Sequence, residues 1–111
     1  RMPVGESVVE AILDLVRAFR PQEPDAPQRV KETVAWGPGP RAAQALMLTV
    51  RAQALLQGRL APSVEDVQAM ARPVLKHRMA LSFAARARGE DLGKLIDEVT
   101  AWIADSVRAA A

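Results

Sequence analysis

Apolar residues recur at intervals of three and four near both ends of the chain, which is the spacing of one face of an α-helix. The first such stripe predicts a helix over residues 7–20, with Ser7 and Glu10 as a capping box at its start and Pro21 as its stop. The last stripe predicts a helix over residues 91–108. Both patterns indicate helices that bury one face and expose the other.

The middle of the chain holds a segment, Ala42–Leu56, that is apolar almost all round. Gly39 can cap such a helix, Pro40 suits its first position, and Gly58 is typical of its end. Because a helix that is apolar on every side is usually buried, this segment is predicted to be the central helix of a bundle, with Leu46 and Val50 in the core.

A further helix is predicted immediately after residue 63. Ser63 and Asp66 form an acidic variant of the capping box, and apolar residues continue at helical spacing from Val64 to Leu75. Pro73 lies within this run and is expected to kink the helix or restart it, because proline lacks the N–H that an inner helical position donates.

The remaining segments predict little regular structure. Pro21–Gln28 contains three prolines and no periodic pattern, so it is predicted to be a surface loop, and Val30, Val34 and Trp36 are predicted to lie in a short extended or turn segment. No segment alternates like a strand for long. The expected fold is therefore all-α, a small bundle of four to five helices that forms a single domain over residues 1–111.

Composition excludes several classes of site. The 111 residues contain no cysteine and one histidine, so disulfides, thiolate metal sites, cysteine nucleophiles and histidine-rich metal clusters are excluded, and no metal site is expected. No apolar run reaches the roughly 18 residues of a membrane span, and no signal peptide is recognisable, so a cytoplasmic protein is expected.

The charge balance is mildly basic. Fifteen basic and thirteen acidic residues give a net charge of +2, which is too small for the strong positive field of a dedicated nucleic-acid binder. The sequence begins at Arg1 with Met2 behind it and enters a helical pattern almost at once, so we expect a fragment of a longer protein.

Arg41 is the most informative charged residue. It lies where the Ala42–Leu56 helix begins, and a cation there faces the positive end of the helix dipole. Free backbone N–H groups and a guanidinium together suit an anion such as a phosphate. The alternative is that Arg41 reaches solvent or pairs with an acid such as Glu32.

Other polar residues of interest allow more than one interpretation. Gln44 and Arg51 share a stripe with Arg41 that must face water or a partner. The basic cluster of Lys76, His77 and Arg78 could meet a phosphate, a neighbouring subunit or a helix C-terminus, or could simply be solvated. The remaining acids of note are predicted to lie on helix surfaces without an acid–base role: Glu65, Asp66, Asp97 and Glu98.

A combination of motifs across residues 36–81 resembles the C-terminal lid of MoxR-family AAA+ ATPases. Members of that family carry a Gly-x-x-Pro-Arg-Ala turn, an Ala/Leu-rich helix that ends in Gly-Arg, a Ser/Thr-x-Glu-Asp-Val helix start and a Val-Leu-x-His-Arg segment. The corresponding stretches here are Gly37–Ala42, Ala43–Arg59, Ser63–Val67 and Val74–Arg78, and residues 16–20, VRAFR, resemble the end of the family's first lid helix.

The resemblance implies a function for Arg41. It matches the family's sensor 2 arginine, which reaches across to the terminal phosphates of ATP held by a preceding AAA+ core. ATP and Mg²⁺ would then be cofactors of the full-length protein, with none expected on this fragment, which has no G-x-x-x-x-G-K-[ST] loop. The resemblance also implies a ring oligomer, partners with von Willebrand A domains, and a chaperone-like role in the maturation of metalloenzymes or complexes.

Two other functions are open from the residues alone. The chain could be a free-standing basic helical module that binds DNA or a partner protein, or a purely structural interaction bundle. DNA is the weaker choice because the helix after Gly58 begins with Glu65 and Asp66, whereas a recognition helix would present residues such as Arg, Asn, Gln or Ser.

Overall fold

The computed structural model describes residues 5–110 as six α-helices and one small antiparallel sheet. Arg1 and Met2 lie outside the described residues. The elements are α1 (Glu6–Ala18), α2 (Gln28–Thr33), β1 (Val34–Trp36), α3 (Ala42–Leu56), α4 (Val64–Leu75), β2 (Ala80–Leu81), α5 (Phe83–Ala87) and α6 (Leu92–Ala110), with a 3₁₀ turn over Lys76–Arg78 between α4 and β2. The all-α class is confirmed, and the four long helices are the predicted ones.

The core lies where α6 packs against α1 and α4, while α3 packs against the other side of α4 and the edge of α1. Helices α1, α4 and α6 each bury most of the apolar stripe that their periodicity predicts. The largest side chains buried in this core are Ile12, Leu15, Phe19, Leu46, Leu75, Leu95 and Ile96. No helix among the described residues is long and apolar enough to cross a membrane.

The position of α3 corrects the prediction that it is the central helix. Its buried residues form one line along the helix, Ala42, Leu46, Val50 and Ala54, so Leu46 and Val50 are in the core as predicted. The opposite face is exposed, and Leu55 there is 69% accessible. A sequence that is apolar on all sides therefore forms a helix at the edge of this bundle.

The start of α1 corrects a second prediction. The helix begins at Glu6 with Gly5 as its N-cap, and the Gly5 carbonyl accepts from the N–H groups of Val8 and Val9, both at 3.2 Å. Ser7 thus lies inside the first turn, where it cannot act as an N-cap. Helix α1 ends at Ala18, two residues before the predicted boundary.

Short elements that the pattern did not predict join the long helices. Residue Val30 lies in α2 and not in the predicted extended segment, whereas Val34–Trp36 is extended as predicted and forms β1. Strand β1 pairs with β2, placing Val34 opposite Leu81. Next to this pair, Ser82 caps α5 by accepting from the N–H of Ala85 at 3.0 Å.

The start of α4 confirms the predicted capping box. The Ser63 N–H donates to the Asp66 carboxylate at 2.7 Å, and the Asp66 N–H donates to Ser63 Oγ at 3.4 Å. Asp66 is buried and not on the surface as predicted. Its carboxylate accepts hydrogen bonds from both terminal guanidinium nitrogens of Arg59, at 2.5 and 2.7 Å. The cap thereby fixes the chain between α3 and α4.

The C-terminal part of α4 runs through Pro73 and ends at Leu75. The predicted restart is absent, since the last two residues continue the same helix and the chain then tightens into the 3₁₀ turn. The last helix, α6, begins after Asp91, whose carboxylate accepts from the N–H of Lys94 at 3.2 Å, and its bounds agree with the predicted 91–108 within two residues.

The Asp66 cap predicts how stability depends on pH. The hydrogen bonds from Arg59, supported by those from Ser63, hold the pKa of Asp66 below its usual value. Stability from this carboxylate is therefore fully present above the unfolded pKa of about 3.9 and is lost as pH falls through the lower folded pKa. Asp66→Asn should lower the free energy of unfolding at neutral pH by about 1–3 kcal/mol.

Urea unfolding of both proteins at about pH 7 and about pH 3 measures this effect, because the difference between them should shrink in acid. Glu10→Gln on the exposed face of α1 serves as the control, and its free energy of unfolding should stay close to that of the wild type at both pH values. An Asp66→Asn deficit of the same size at both pH values would contradict the role given to the ionised carboxylate.

Candidate functional site

The turn between β1 and α3 is packed directly against the end of α1. A Cβ atom added to Gly37 would lie 2.2 Å from the carbonyl oxygen of Phe19 and 2.9 Å from its carbonyl carbon. These atoms belong to the backbone and cannot swing away as a side chain could. Glycine is therefore required at this position, and the turn is seated on a residue, Phe19, that is itself fully buried.

Arg20 also holds this turn, through two side-chain hydrogen bonds. Its Nε donates to the Pro38 carbonyl at 3.2 Å, and its Nη2 donates to the Gly39 carbonyl at 3.4 Å. The Gly39 carbonyl also accepts from the N–H of Ala42 at 3.1 Å, but Gly39 is not the cap of α3 as predicted. Pro40 does not occupy the first helical position, because it lies in the turn and Arg41 is the N-cap residue.

Arg41 stands at the end of this fixed turn with an exposed side chain. The side chain of Arg41 forms no hydrogen bond or ion pair with any other residue between 5 and 110, and the alternative pair with Glu32 is not made. Six other arginines of the described chain are ion-paired: Arg17, Arg29, Arg59, Arg72, Arg88 and Arg108. The backbone of Arg41 is thus held in place while its guanidinium is available to a ligand.

The electrostatic setting of Arg41 favours an anion. The first turn of α3 contains no acidic side chain that would neutralise the positive end of the helix dipole. A guanidinium offers several N–H donors in a planar fork that matches the oxygens of a phosphate or carboxylate. The arrangement can therefore bind a negative group that approaches from outside this domain.

An apolar groove of about 450 Å³ lies beside the start of α3. It runs between α1 and α3, and its floor and walls are formed by Val9, Ile12, Leu13, Ala43, Gln44, Met47 and Leu48. Gln44 is its one polar lining residue and is exposed. Arg51, two turns further along α3, is half-buried on the same side, so the stripe that contains Arg41 faces away from the core as predicted.

The basic cluster does not join this site. Lys76, His77 and Arg78 form the exposed 3₁₀ turn that follows α4, and none of their side chains makes a hydrogen bond or ion pair within residues 5–110. His77 is therefore neither packed nor capping a helix. Over the same residues, no group of three or more His, Asp or Glu side chains is arranged to hold a metal ion.

Three of the acids singled out from the sequence lie on the surface, and each is bound by an arginine of another element. Glu65 accepts from Arg108 at 2.7 Å, Asp97 from Arg72 at 2.5 Å and Glu98 from Arg29 at 3.2 Å. The hydrogen bond from Arg108 also lowers the pKa of Glu65. These acids connect helices, which is consistent with the absence of an acid–base role.

Sequence reasoning missed the two residues that position Arg41. Gly37 was visible only as part of a turn motif, and nothing in the sequence indicates that its Cβ would meet Phe19. Arg20 follows the apolar stripe of α1 as an ordinary surface cation. The distance of 18 residues between Arg20 and Pro38 leaves no local signal of their contact.

Comparison with known proteins identifies the family of this helical fold. Residues 26–99 match the AAA lid domain family. The chain is 33% identical over 84 residues to Chaperone MoxR1 of Mycobacterium tuberculosis, an alignment that covers 76% of this chain and 22% of that protein. It also superposes with a TM-score of 0.80 and 28% identity on the crystal structure of a protein described as an ATPase from Cytophaga hutchinsonii, covering 88% of this chain and 30% of that one.

The matched region spans α2 to the first half of α6 and includes the turn that carries Arg41. The chain spans about a fifth of the length of the curated relative that it matches and under a third of the matched structure. The helical fold, the motifs of residues 36–81 and these similarities agree, and the chain belongs to the AAA lid domain family, as a lid of the MoxR type.

Proposed function

We propose that this chain is the lid over the ATP site of a MoxR-type AAA+ ATPase, and that Arg41 is its sensor 2 residue. The observation that carries the proposal is the state of Arg41: its backbone is fixed by the packed turn, while its guanidinium is exposed and unpaired within residues 5–110. ATP and Mg²⁺ are held by the AAA+ core of the full-length protein, and Arg41 reaches the terminal phosphates from the lid.

The chemistry of this role is electrostatic. Negative charge spreads over the phosphate oxygens during phosphoryl transfer, and a positioned arginine stabilises that charge. Positioning matters because a group that is already in place needs no reorganisation when the charge develops. The close packing of Gly37 on Phe19 and the hydrogen bonds from Arg20 to the turn supply that positioning here.

The lid alone is proposed to be no enzyme and to bind ATP only weakly. Its sequence lacks the glycine-rich phosphate loop whose N–H groups and lysine supply most contacts to a nucleotide. ATP hydrolysis then belongs to the whole protein. The similarity to a protein described as a chaperone supports a chaperone-like role.

The finer features of that role follow from the family resemblance and are proposed with it. They are a cytoplasmic ring oligomer, partners with von Willebrand A domains, and clients among metalloenzymes or complexes. The alternative of a free-standing DNA-binding module is less favoured, because the first turn of α4 carries two acids, Glu65 and Asp66, where a recognition helix would present basic or amide side chains.

Nucleotide affinity of the full-length protein tests the assignment of Arg41. Arg41→Ala should weaken binding of ATP by about tenfold and binding of ADP much less, because only ATP carries the terminal phosphate that the guanidinium contacts. The ATP affinity of Arg41→Lys should lie between those of the wild type and Arg41→Ala, since lysine keeps the charge without the planar fork. Equal losses for ATP and ADP would show that Arg41 does not contact the terminal phosphate.

A further inference from the structure

The outer face of α3 carries a continuous strip of exposed side chains. Gln44, Leu48, Arg51 and Leu55 follow one another at intervals of four, three and four residues. That spacing places them in one line along a helix, and it is the spacing at which one helix packs lengthwise on another. We name these four residues the α3 seam.

The α3 seam exposes more apolar surface than is usual for a helix face that contacts only water. Leu48 is 67% accessible and Leu55 is 69% accessible. Single exposed leucines are ordinary, but contiguous exposed apolar patches mark interaction sites. Leu48 and Leu55 are one heptad apart, about 10 Å along the helix, which suits two successive anchors of a partner helix.

The charge on the seam indicates what kind of helix would fit. Arg51 lies between Leu48 and Leu55 and is half-buried, and its side chain makes no ion pair or hydrogen bond with residues 5–110. The seam itself contains no acidic residue. A guanidinium that is covered without an opposing charge is costly, so a partner that covers these leucines must bring a carboxylate to Arg51.

The same charge disfavours a second copy of the chain as the occupant. Two seams packed antiparallel would bring two Arg51 guanidinium groups into one interface, and neither seam offers an acid to separate them. Like charges opposed in this way suppress an association.

We infer that the α3 seam binds an amphipathic helix of another polypeptide, which carries two apolar residues seven positions apart and a carboxylate between them. The two leucine anchors, Leu48 and Leu55, lie about 10 and 20 Å along α3 from Arg41, so binding at these leucines does not depend on the phosphate contact. The lid thus combines an anion-binding residue at one end of α3 with a docking surface along the helix.

Two synthetic helical peptides test the inference. Both carry leucines seven positions apart, and they differ only between those leucines, where one has Glu and the other Lys. Fluorescence anisotropy with the 111-residue chain should show that the Glu peptide binds at least about fivefold more tightly. The substitution Arg51→Glu should invert the preference, and Leu55→Ala should weaken binding of the Glu peptide by about tenfold. The matched control is Leu60→Ala, an exposed leucine outside the seam, which should change neither affinity.

Several results would overturn the inference. Equal affinity for the two peptides, or a preference unchanged by Arg51→Glu, would show that Arg51 does not select the partner. Sedimentation that shows a dimer of the chain, dissociated by Leu55→Ala, would assign the seam to a second copy. Binding to the 111-residue chain that is absent in the full-length protein would show that the protein's own core covers the seam.

Discussion

Arg41→Ala is expected to lower the ATP turnover of the full-length protein by one or more orders of magnitude. A guanidinium placed on the terminal phosphates stabilises developing charge, and its loss corresponds to a few kcal/mol of transition-state stabilisation. The structure supports a loss of chemistry without a loss of fold, because the Arg41 side chain is exposed and contacts no other described residue through a hydrogen bond or ion pair. Steady-state hydrolysis at saturating ATP measures the effect.

The isolated chain provides the structural control for that result. There, Arg41→Ala should leave thermal stability unchanged or slightly raised, because it removes a cation from the positive end of α3, an effect of about 0.3–1 kcal/mol. Arg86→Ala, an exposed arginine on α5, should leave turnover unchanged. If Arg41→Ala unfolds the isolated chain while the soluble full-length variant keeps normal turnover, Arg41 is structural and has no role in phosphate sensing.

Leu46→Ala is expected to destabilise the chain by about 2–5 kcal/mol, the largest stability effect that we predict. Leu46 is fully buried and lies on the line of α3 residues that packs against α1 and α4. Its truncation removes apolar contacts and leaves a cavity that neighbouring helices fill only in part. The midpoint of urea unfolding should shift accordingly.

The matched control is Leu48→Ala, two residues further along the same helix. Leu48 is 67% exposed, so its truncation should change the free energy of unfolding by about 0.5 kcal/mol or less. Comparable losses at residues 46 and 48 would mean that α3 is buried on both sides, as its sequence alone predicted. A negligible loss at Leu46 would mean that α3 is not packed in the core at all.

This pair of leucines shows why the sequence predicts the helices better than their arrangement. Helices α1, α4 and α6 each carry a one-sided apolar stripe, so their buried faces could be read directly from spacing. In α3 leucines and alanines occupy every side, and periodicity cannot distinguish a central helix from an edge helix with an exposed binding surface. The distinction depends on tertiary contacts that no local pattern records.

The helix caps and the short strands could also be predicted only in part from the sequence. The Ser63–Asp66 capping box was predictable because its two residues are only three positions apart in the sequence, and the structure confirms it. The Ser7–Glu10 pattern has the same form, yet Gly5 caps α1 because the helix begins one residue earlier. Strands β1 and β2 have three and two residues, too few for alternation to be recognised, and they pair across more than forty residues of intervening chain.

The site itself was predictable in part. The position of Arg41 at a helix start follows from the sequence, and its side chain is exposed and unpaired within residues 5–110, while its role in phosphate binding stays a prediction. The support beneath it was not predictable, because the contacts of Gly37 with Phe19 and of Arg20 with Pro38 join segments that are distant in sequence.

The contact between Gly37 and Phe19 has a mechanical consequence. Backbone rests on backbone there, so no side-chain rotation can absorb a relative shift between α1 and the turn. Helix α1 is about 20 Å long, and its C-terminal end packs against the turn that carries Arg41. A tilt of α1 that begins near Glu6 therefore moves the backbone of Arg41, and the direction in which the guanidinium points depends on the orientation of α1.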